Sequence, residues 1–188
     1  MMIQILIAVI YLAAAALAQA PPGWTNVFSP SNLYIYHVTN GAISDSSPTA
    51  LVFKSPANGG RDKTTLLTFK YPAVTNGKQC QLFFNFDQAA DATSRWDGSG
   101  RLDIFSSNSV APGKTSGWPP GNQRNNHLGR WKKSATPWAD WEATYGGLSV
   151  PQPCKPPGTV QGFEIVGVYD NTYVTYTNAL SGVRIAYR

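Results

Sequence analysis

Apolar and polar residues alternate with a period of two in several short stretches of the chain. Between residues 64 and 71, Leu67, Phe69 and Tyr71 fall on one face, and the cysteine and large apolar residues of 80–86 do the same. Successive side chains of a β-strand point to opposite faces of its sheet, so this spacing predicts strands that bury one face.

The same spacing, over shorter lengths, predicts further strands with turns between them. Asn-Gly or Asp-Gly pairs, which favour tight turns, occur at 40–41, 58–59, 76–77 and 97–98. The shorter strands are predicted at 33–38, 50–54, 101–105, 163–168, 173–177 and 183–187. Short strands joined by turns, without helical periodicity, indicate an all-β fold. We predict one antiparallel β-sandwich domain of the jelly-roll kind.

The amino-terminal stretch departs from this pattern, because residues 3–18 are apolar and uncharged. The stretch is shorter than the roughly 20 residues that span a bilayer, and it matches the hydrophobic region of a secretory signal peptide. Small residues allow cleavage after Ala18 or after Ala20, and we favour Ala18 because Pro21 would follow the second cut. We therefore expect a signal peptide at 1–18, no membrane span, and a secreted domain at 19–188 that is extracellular or associated with a cell wall.

The chain contains two cysteines, Cys80 and Cys154. In an exported protein such a pair is expected to form a disulfide. The two histidines are distant in sequence and show no metal-ligand spacing, so we expect neither a metal site nor a cofactor.

One long segment, residues 106–139, shows no strand pattern and is predicted to be a loop, and loops of this length are often functional. Five of the 15 basic residues lie in it without any acidic residue, whereas the other ten balance the ten acidic residues, so the formal charge of +5 originates here. The candidate binding residues of this basic, tryptophan-rich segment are Trp118, Arg124, Arg130, Trp131, Lys132, Lys133 and Trp138.

Aromatic and basic side chains interleaved in this way favour binding. Tryptophan faces stack on sugar rings, and arginine and lysine hold anionic groups. The expected partner is an anionic or wall polysaccharide or a host surface; the other interpretation is that the tryptophans only pin the loop to the sandwich. Nucleic acid also suits the charge, but export argues against it.

Catalysis is the alternative to binding. Glycoside hydrolases commonly use two carboxylates, and the acidic residues considered for such a pair are Asp140, Glu142 and Glu164. No motif marks out a pair, and the turn at Gly98-Ser99-Gly100 lacks the spacing of a nucleophile elbow. We therefore assign no catalytic residues and expect a non-enzymatic binding protein.

Several short motifs resemble a known family. They are 80–84 (CQLFF), 99–105 (SGRLDIF), Pro153-Cys154, 162–166 (GFEIV) and 181–185 (SGVRI), in an order and spacing that run from about Leu51 to the end of the chain. The chain is similar to the fungal family defined by the C-terminal domain of the ubiquitin three binding protein But-two. The resemblance implies a secreted, β-rich domain with this cysteine pair and without established catalytic residues. It also names a ubiquitin-like partner, which we do not expect after secretion.

Overall fold

The computed structural model of the chain describes residues 20–118 and 123–188. The predicted signal peptide, 1–18, lies outside the described residues. Within them, the chain forms 13 β-strands and three short 3₁₀-helices, and no α-helix. The prediction of an all-β fold is therefore confirmed.

The strands occupy most of the described chain. In chain order they are β1 (Asn26–Phe28), β2 (Asn32–His37), β3 (Thr49–Lys54), β4 (Lys63–Lys70), β5 (Gln79–Asn85), β6 (Arg95–Gly98), β7 (Arg101–Ser107), β8 (Arg124–Lys132), β9 (Asp140–Thr144), β10 (Gln152–Pro153), β11 (Val160–Gly167), β12 (Thr172–Thr177) and β13 (Gly182–Tyr187). The 3₁₀-helices, Pro56–Asn58, Ala73–Thr75 and Gly147–Ser149, lie in connections between strands.

The described strands form two antiparallel sheets that enclose a common core. The small sheet has four strands in the order β1-β13-β5-β10. The large sheet has nine strands in the order β6-β12-β3-β4-β11-β7-β8-β9, with β2 also paired to β4. The predicted antiparallel sandwich is therefore confirmed.

Inward-facing side chains at alternate positions of both sheets meet in this core. On β5, Leu82 and Phe84 are both 0% exposed. The Phe84 ring lies 5.0 Å from Trp96, 5.8 Å from Trp131 and 5.4 Å from Tyr176, measured between ring centroids. Burying a large apolar side chain of this kind stabilises the fold by about 2 kcal/mol, so the alternation seen in the sequence accounts for the sandwich.

Cys80 and Cys154 form the predicted disulfide, which joins positions 74 residues apart. Cys80 is buried on β5, and Cys154 follows β10, the edge strand that pairs with the start of β5. The bond therefore fastens an edge strand and the loop after it to the middle of the small sheet.

The turn between β12 and β13 explains the family-like motif at 181–185. Gly182 has a φ of +111°, and a Cβ at this position would collide with the ring of Tyr176. Arg184 is 1% exposed, and its guanidinium donates hydrogen bonds to the carbonyls of Asn178 at 2.7 Å and Ser181 at 3.0 Å. Burial lowers the pKa of Arg184 to about 10. The motif thus encodes a turn that only glycine can make, closed by a buried arginine.

The prediction of a loop throughout 106–139 is wrong. Residues Arg124–Lys132 form β8, a nine-residue strand that pairs with β7 and β9 inside the large sheet. Trp131 on this strand is 0% exposed and packs in the core. A ring that is fully buried in this structure offers no surface to a ligand.

Candidate functional site

The three tryptophans of the predicted binding segment lie in three different places. Trp131 is in the core, as described above. Trp138 lies beside β5, opposite Asn85, and its ring is 6.0 Å from that of Phe83. Trp118 is 58% exposed and contacts Tyr36 beside the large sheet. The structure therefore does not assemble the single tryptophan face that the sequence suggested.

A different set of side chains forms a continuous line on the outer face of the large sheet. The line begins before β8, crosses β2, β8 and β7, and ends just after β9. We call it the aromatic strip, and its members are Trp118, Tyr36, Arg124, Phe105, His127 and Tyr145. Both ends are open to solvent, because Trp118 is 58% exposed and Tyr145 is 63% exposed.

Ring and cation–π contacts connect Trp118 to Tyr36 and connect Arg124 to Tyr145 through Phe105 and His127, and Tyr36 interacts electrostatically with Arg124. The centroids of Trp118 and Tyr36 are 6.0 Å apart. The guanidinium carbon of Arg124 lies 4.9 Å from the centroid of Phe105. Phe105 is stacked on His127 at 4.5 Å with 19° between the planes, and His127 is 4.8 Å from Tyr145. Aromatic pairs at these distances stabilise one another, so the strip is a packed surface and not a set of independent side chains.

A buried carboxylate fixes Arg124 in the middle of the strip. The guanidinium donates to both oxygens of Glu164, at 2.8 and 2.7 Å, and the Thr64 hydroxyl donates to the same carboxylate at 2.6 Å. Glu164 is 0% exposed although it belongs to the outward side of β11. The hydrogen bonds with Glu164, helped more weakly by Tyr36, raise the pKa of Arg124 despite its partial burial. Arg124 is therefore a permanently charged group held in one orientation.

Two further arginine–carboxylate pairs lie beside the strip. Arg130 donates to the two oxygens of Asp103 at 2.7 and 3.1 Å, and Nε of Arg101 donates to both oxygens of Glu142 at 2.9 Å. The ring of Tyr169 lies against both arginines, 5.4 Å from the guanidinium carbon of Arg130 and 5.7 Å from that of Arg101. The outer face thus presents donors and acceptors in fixed pairs next to the aromatic rings.

Tyr169 also has an unusual backbone conformation. It is the non-glycine residue with a positive φ, +62°, among the residues described, and it is 57% exposed. A left-handed conformation costs a residue with a side chain about 1–2 kcal/mol, and such strain concentrates at functional sites. This strained turn between β11 and β12 places the exposed Tyr169 ring against the two arginines.

Pairing between strands neutralises most of the charge excess of residues 106–139. Arg124 and Arg130 pair with acids of β11 and β7, and Lys114 meets Asp45 at 2.6 Å. All three acids come from outside the segment. At these positions the outer face of the large sheet consequently offers paired donors and acceptors suited to hydroxyl groups.

The last two predicted binding residues also face local partners. Lys132 stands opposite Asp140 in the ladder between β8 and β9. The Lys133 ammonium donates to the carbonyl of Trp96 at 3.2 Å and lies 5.4 Å from the ring centroid of Phe86. Neither lysine contacts the aromatic strip, so of the predicted residues only Trp118 and Arg124 belong to it, with Arg130 beside it.

A shallow depression of about 170 Å³ adjoins the Arg124 end of the strip. Its lining includes Val38, Phe53, Lys63 and Val166 as well as Arg124. Lys54, Asp62 and Thr64 also line it, so the depression is charged as well as apolar and extends the strip sideways.

The three acids considered for a glycoside hydrolase are not arranged as an acid and a base. Glu164 is buried, and both of its oxygens accept hydrogen bonds from Arg124. The hydrogen bond from Arg101 lowers the pKa of Glu142, whereas the general acid of a glycosidase has a raised pKa. Asp140 is exposed on the edge strand, opposite Lys132. This arrangement gives the catalytic alternative no support.

The described part of the chain has neither a cluster of metal-binding side chains nor a membrane-crossing helix. Residues 20–118 and 123–188 contain no group of three or more His, Cys, Asp or Glu side chains placed to hold a metal ion. In the same residues, no helix has the length and apolar character needed to cross a membrane.

Most members of the strip were not predicted from the sequence, although one signal was present. Phe105 shares its side of β7 with Arg101 and Asp103, so an aromatic residue occupies a position that the alternation assigns to solvent. His127 and Tyr145 gave no comparable signal, because the strand and turn that carry them were not recognised.

Comparison with known proteins gives one result about the family. No curated protein matches the chain at significant similarity. The sequence model of the family described as Ubiquitin 3 binding protein But2 C-terminal domain matches residues 40–181. The match covers β3 to β12, the disulfide, and every member of the strip except Tyr36. The chain therefore belongs to the But2 C-terminal domain family.

Proposed function

We propose that this protein is a secreted, non-catalytic binding protein that holds a hydroxyl-rich polysaccharide of a cell wall or extracellular surface on its aromatic strip. The observation that carries the proposal is the row of contacts from Trp118 to Tyr36 and from Arg124 through Phe105 and His127 to Tyr145, with exposed rings at both ends and an electrostatic interaction between Tyr36 and Arg124 in the middle. Membership of a family whose resemblance implied no catalytic residues supports a binding role over an enzymatic one.

The chemistry of the strip fits sugars in two respects. Aromatic rings give flat apolar area that the C–H faces of sugars can cover, and they lose little side-chain entropy on binding. The flanking pairs Arg130–Asp103 and Arg101–Glu142 hold donors and acceptors in place before a ligand arrives. Preorganised groups of this kind reduce the entropic cost of binding.

The charge balance of the face favours a neutral polymer. Each of the three arginines is matched by a carboxylate, at Glu164, Asp103 and Glu142. An acidic polymer would have to approach these carboxylates as well as the arginines. The polysaccharide proposed is therefore a neutral wall polymer, and not the anionic polymer also expected from the sequence.

A pull-down with insoluble neutral wall polymers, such as glucans, chitin and cellulose, tests the proposal. The wild-type protein should be retained by one of them. Trp118→Ala combined with Tyr145→Ala should weaken retention roughly 30-fold, because the two substitutions together remove two aromatic contacts worth about 1 kcal/mol each. Trp138→Ala is the matched control, since it removes a tryptophan of the same sequence segment on the other side of the sandwich.

Two outcomes would reject the proposal. One is the absence of retention on every neutral polymer. The other is retention that survives the double substitution, or that Trp138→Ala abolishes to the same extent. Circular dichroism spectra that match the wild type would show that each variant is folded.

A further inference from the structure

Four cations gather at one end of the sandwich, away from the aromatic strip. Lys70 ends β4 and pairs with the first residue of β11. The carbonyl of Lys78 accepts a hydrogen bond from the backbone of Cys154, which precedes Lys155. Arg188 follows β13 and exchanges backbone hydrogen bonds of 3.0 and 3.1 Å with Gln79, next to Lys78. We call Lys70, Lys78, Lys155 and Arg188 the basic end.

No carboxylate side chain belongs to the segments that build the basic end. Residues 20–28, 68–82, 146–161 and 185–188 contain no Asp or Glu. Among the described residues, none of the four cations takes part in a side-chain ion pair. The net formal charge of the chain is +5, and the four cations of the basic end, with no acidic residue in the segments around them, form an open positive field.

Exposed apolar side chains accompany these cations. Val74, in the connection from β4 to β5, is 58% exposed, and Val160, opposite Lys70, is 48% exposed. Trp24 is half-buried, and the guanidinium carbon of Arg188 lies 4.7 Å from its ring centroid. Val160 borders the basic end on the side of the large sheet, and Trp24, which packs on Phe83, borders it on the side of the small sheet, so this end of the sandwich is both basic and apolar.

We propose that the basic end docks onto an anionic phospholipid surface. Cations near such a surface are attracted by its negative potential, while valine and tryptophan side chains settle at the boundary between headgroups and acyl chains. A soluble acidic polymer would use the cations but would leave Val74 and Val160 without a function. This surface is separate from the aromatic strip, so the inference stands or falls independently of polysaccharide binding.

Co-sedimentation with vesicles tests the inference. The probes are vesicles of phosphatidylcholine alone and vesicles with about 30 mol% phosphatidylserine, a composition that gives the negative surface potential required. The protein should bind the anionic vesicles in preference. The protein used starts at Gln19, so the predicted signal peptide does not contribute to binding. Raising the salt to about 0.5 M shortens the Debye length to below about 5 Å and should abolish the preference.

Substitutions test whether the basic end is the part of the protein that binds the anionic vesicles. Each cation near an anionic bilayer changes the partition coefficient about fivefold, so Lys70→Gln with Lys155→Gln should weaken binding to the anionic vesicles by roughly 25-fold. Arg61→Gln with Lys132→Gln removes the same charge elsewhere and should have a much smaller effect. Val74→Ser should reduce binding without altering its dependence on salt.

Four results would overturn the inference. Equal binding to neutral and anionic vesicles would show that charge is not the determinant. Equal losses in the two double variants would show that only net charge matters. Retention on a soluble polyuronate but not on anionic vesicles would assign the basic end to acidic polymers. Loss of vesicle binding in Trp118→Ala would place the contact on the aromatic strip.

Discussion

Replacing Glu164 by Gln tests how the fold supports the aromatic strip. The carboxylate accepts two hydrogen bonds from Arg124 and one from Thr64, at 2.6 to 2.8 Å, and it is 0% exposed. Glutamine has the same shape, but its amide nitrogen is a donor and would face another donor. The substitution therefore removes the charge of the pair and breaks at least one of its hydrogen bonds without leaving a cavity.

The size of the loss follows from the burial of the two partners. Removing one member of a buried pair destabilises a protein by about 3–5 kcal/mol, because the remaining charge is uncompensated. The Arg124 side chain is 36% exposed, so water can partly solvate it once Glu164 is changed. We therefore expect a loss near the lower limit, about 3 kcal/mol, which for a domain of this size lowers Tm by roughly 6–12 °C.

Thermal and urea unfolding followed by circular dichroism would measure this loss. Glu142→Gln is the matched control, because Glu142 also pairs with an arginine but does so in solvent, where such pairs contribute little. A double-mutant cycle with Arg124→Met should show strong coupling. The reasoning is refuted if Glu164→Gln destabilises no more than Glu142→Gln, or if the Arg124 and Glu164 substitutions are additive.

Two further predictions concern the frame around the site. Cys80→Ser with Cys154→Ser should lower the free energy of unfolding by up to about 4.5 kcal/mol, because the disulfide closes a loop between positions 74 residues apart; an unchanged urea midpoint would contradict the stabilising role assigned to the bond. Gly182→Ala should cost about 3 kcal/mol, since it combines a φ of +111° with a collision against Tyr176. Gly158→Ala is its control, with a φ of +82° and open space around the position, and equal losses in the two variants would show that the collision does not matter.

The sandwich and the disulfide could be predicted from sequence because both depend on local or compositional signals. Strands such as β4 and β5 alternate regularly, and their inward residues are the core. Strand β8 was missed because its alternation is interrupted. Leu128 and Trp131 are both buried although they are an odd number of positions apart, and the register with β9 shifts between Arg130 and Trp131.

The site itself depends on pairings between distant parts of the chain. Arg124 and Glu164 are 40 residues apart, and their contact exists only because β7, β8 and β11 are neighbours in the large sheet. Residues 106–139 contain basic residues and no acidic ones. They do not form an unpaired basic surface, because acidic residues outside the segment pair with Lys114, Arg124 and Arg130. The basic end, in contrast, is formed by segments that are distant in sequence, and none of these segments by itself indicates a basic surface.

Nuclear magnetic resonance of the tryptophan indole groups tests the central claim most directly. The chain has six tryptophans, so their indole N–H signals report separately on the core, the small sheet and the aromatic strip, with Trp118→Ala and Trp138→Ala identifying two of them. A soluble oligosaccharide of the retained polymer should shift the Trp118 signal in a saturable way and leave the Trp131 and Trp138 signals in place. Saturable shifts at Trp138 or Trp24 without one at Trp118 would contradict the assignment of binding to the aromatic strip.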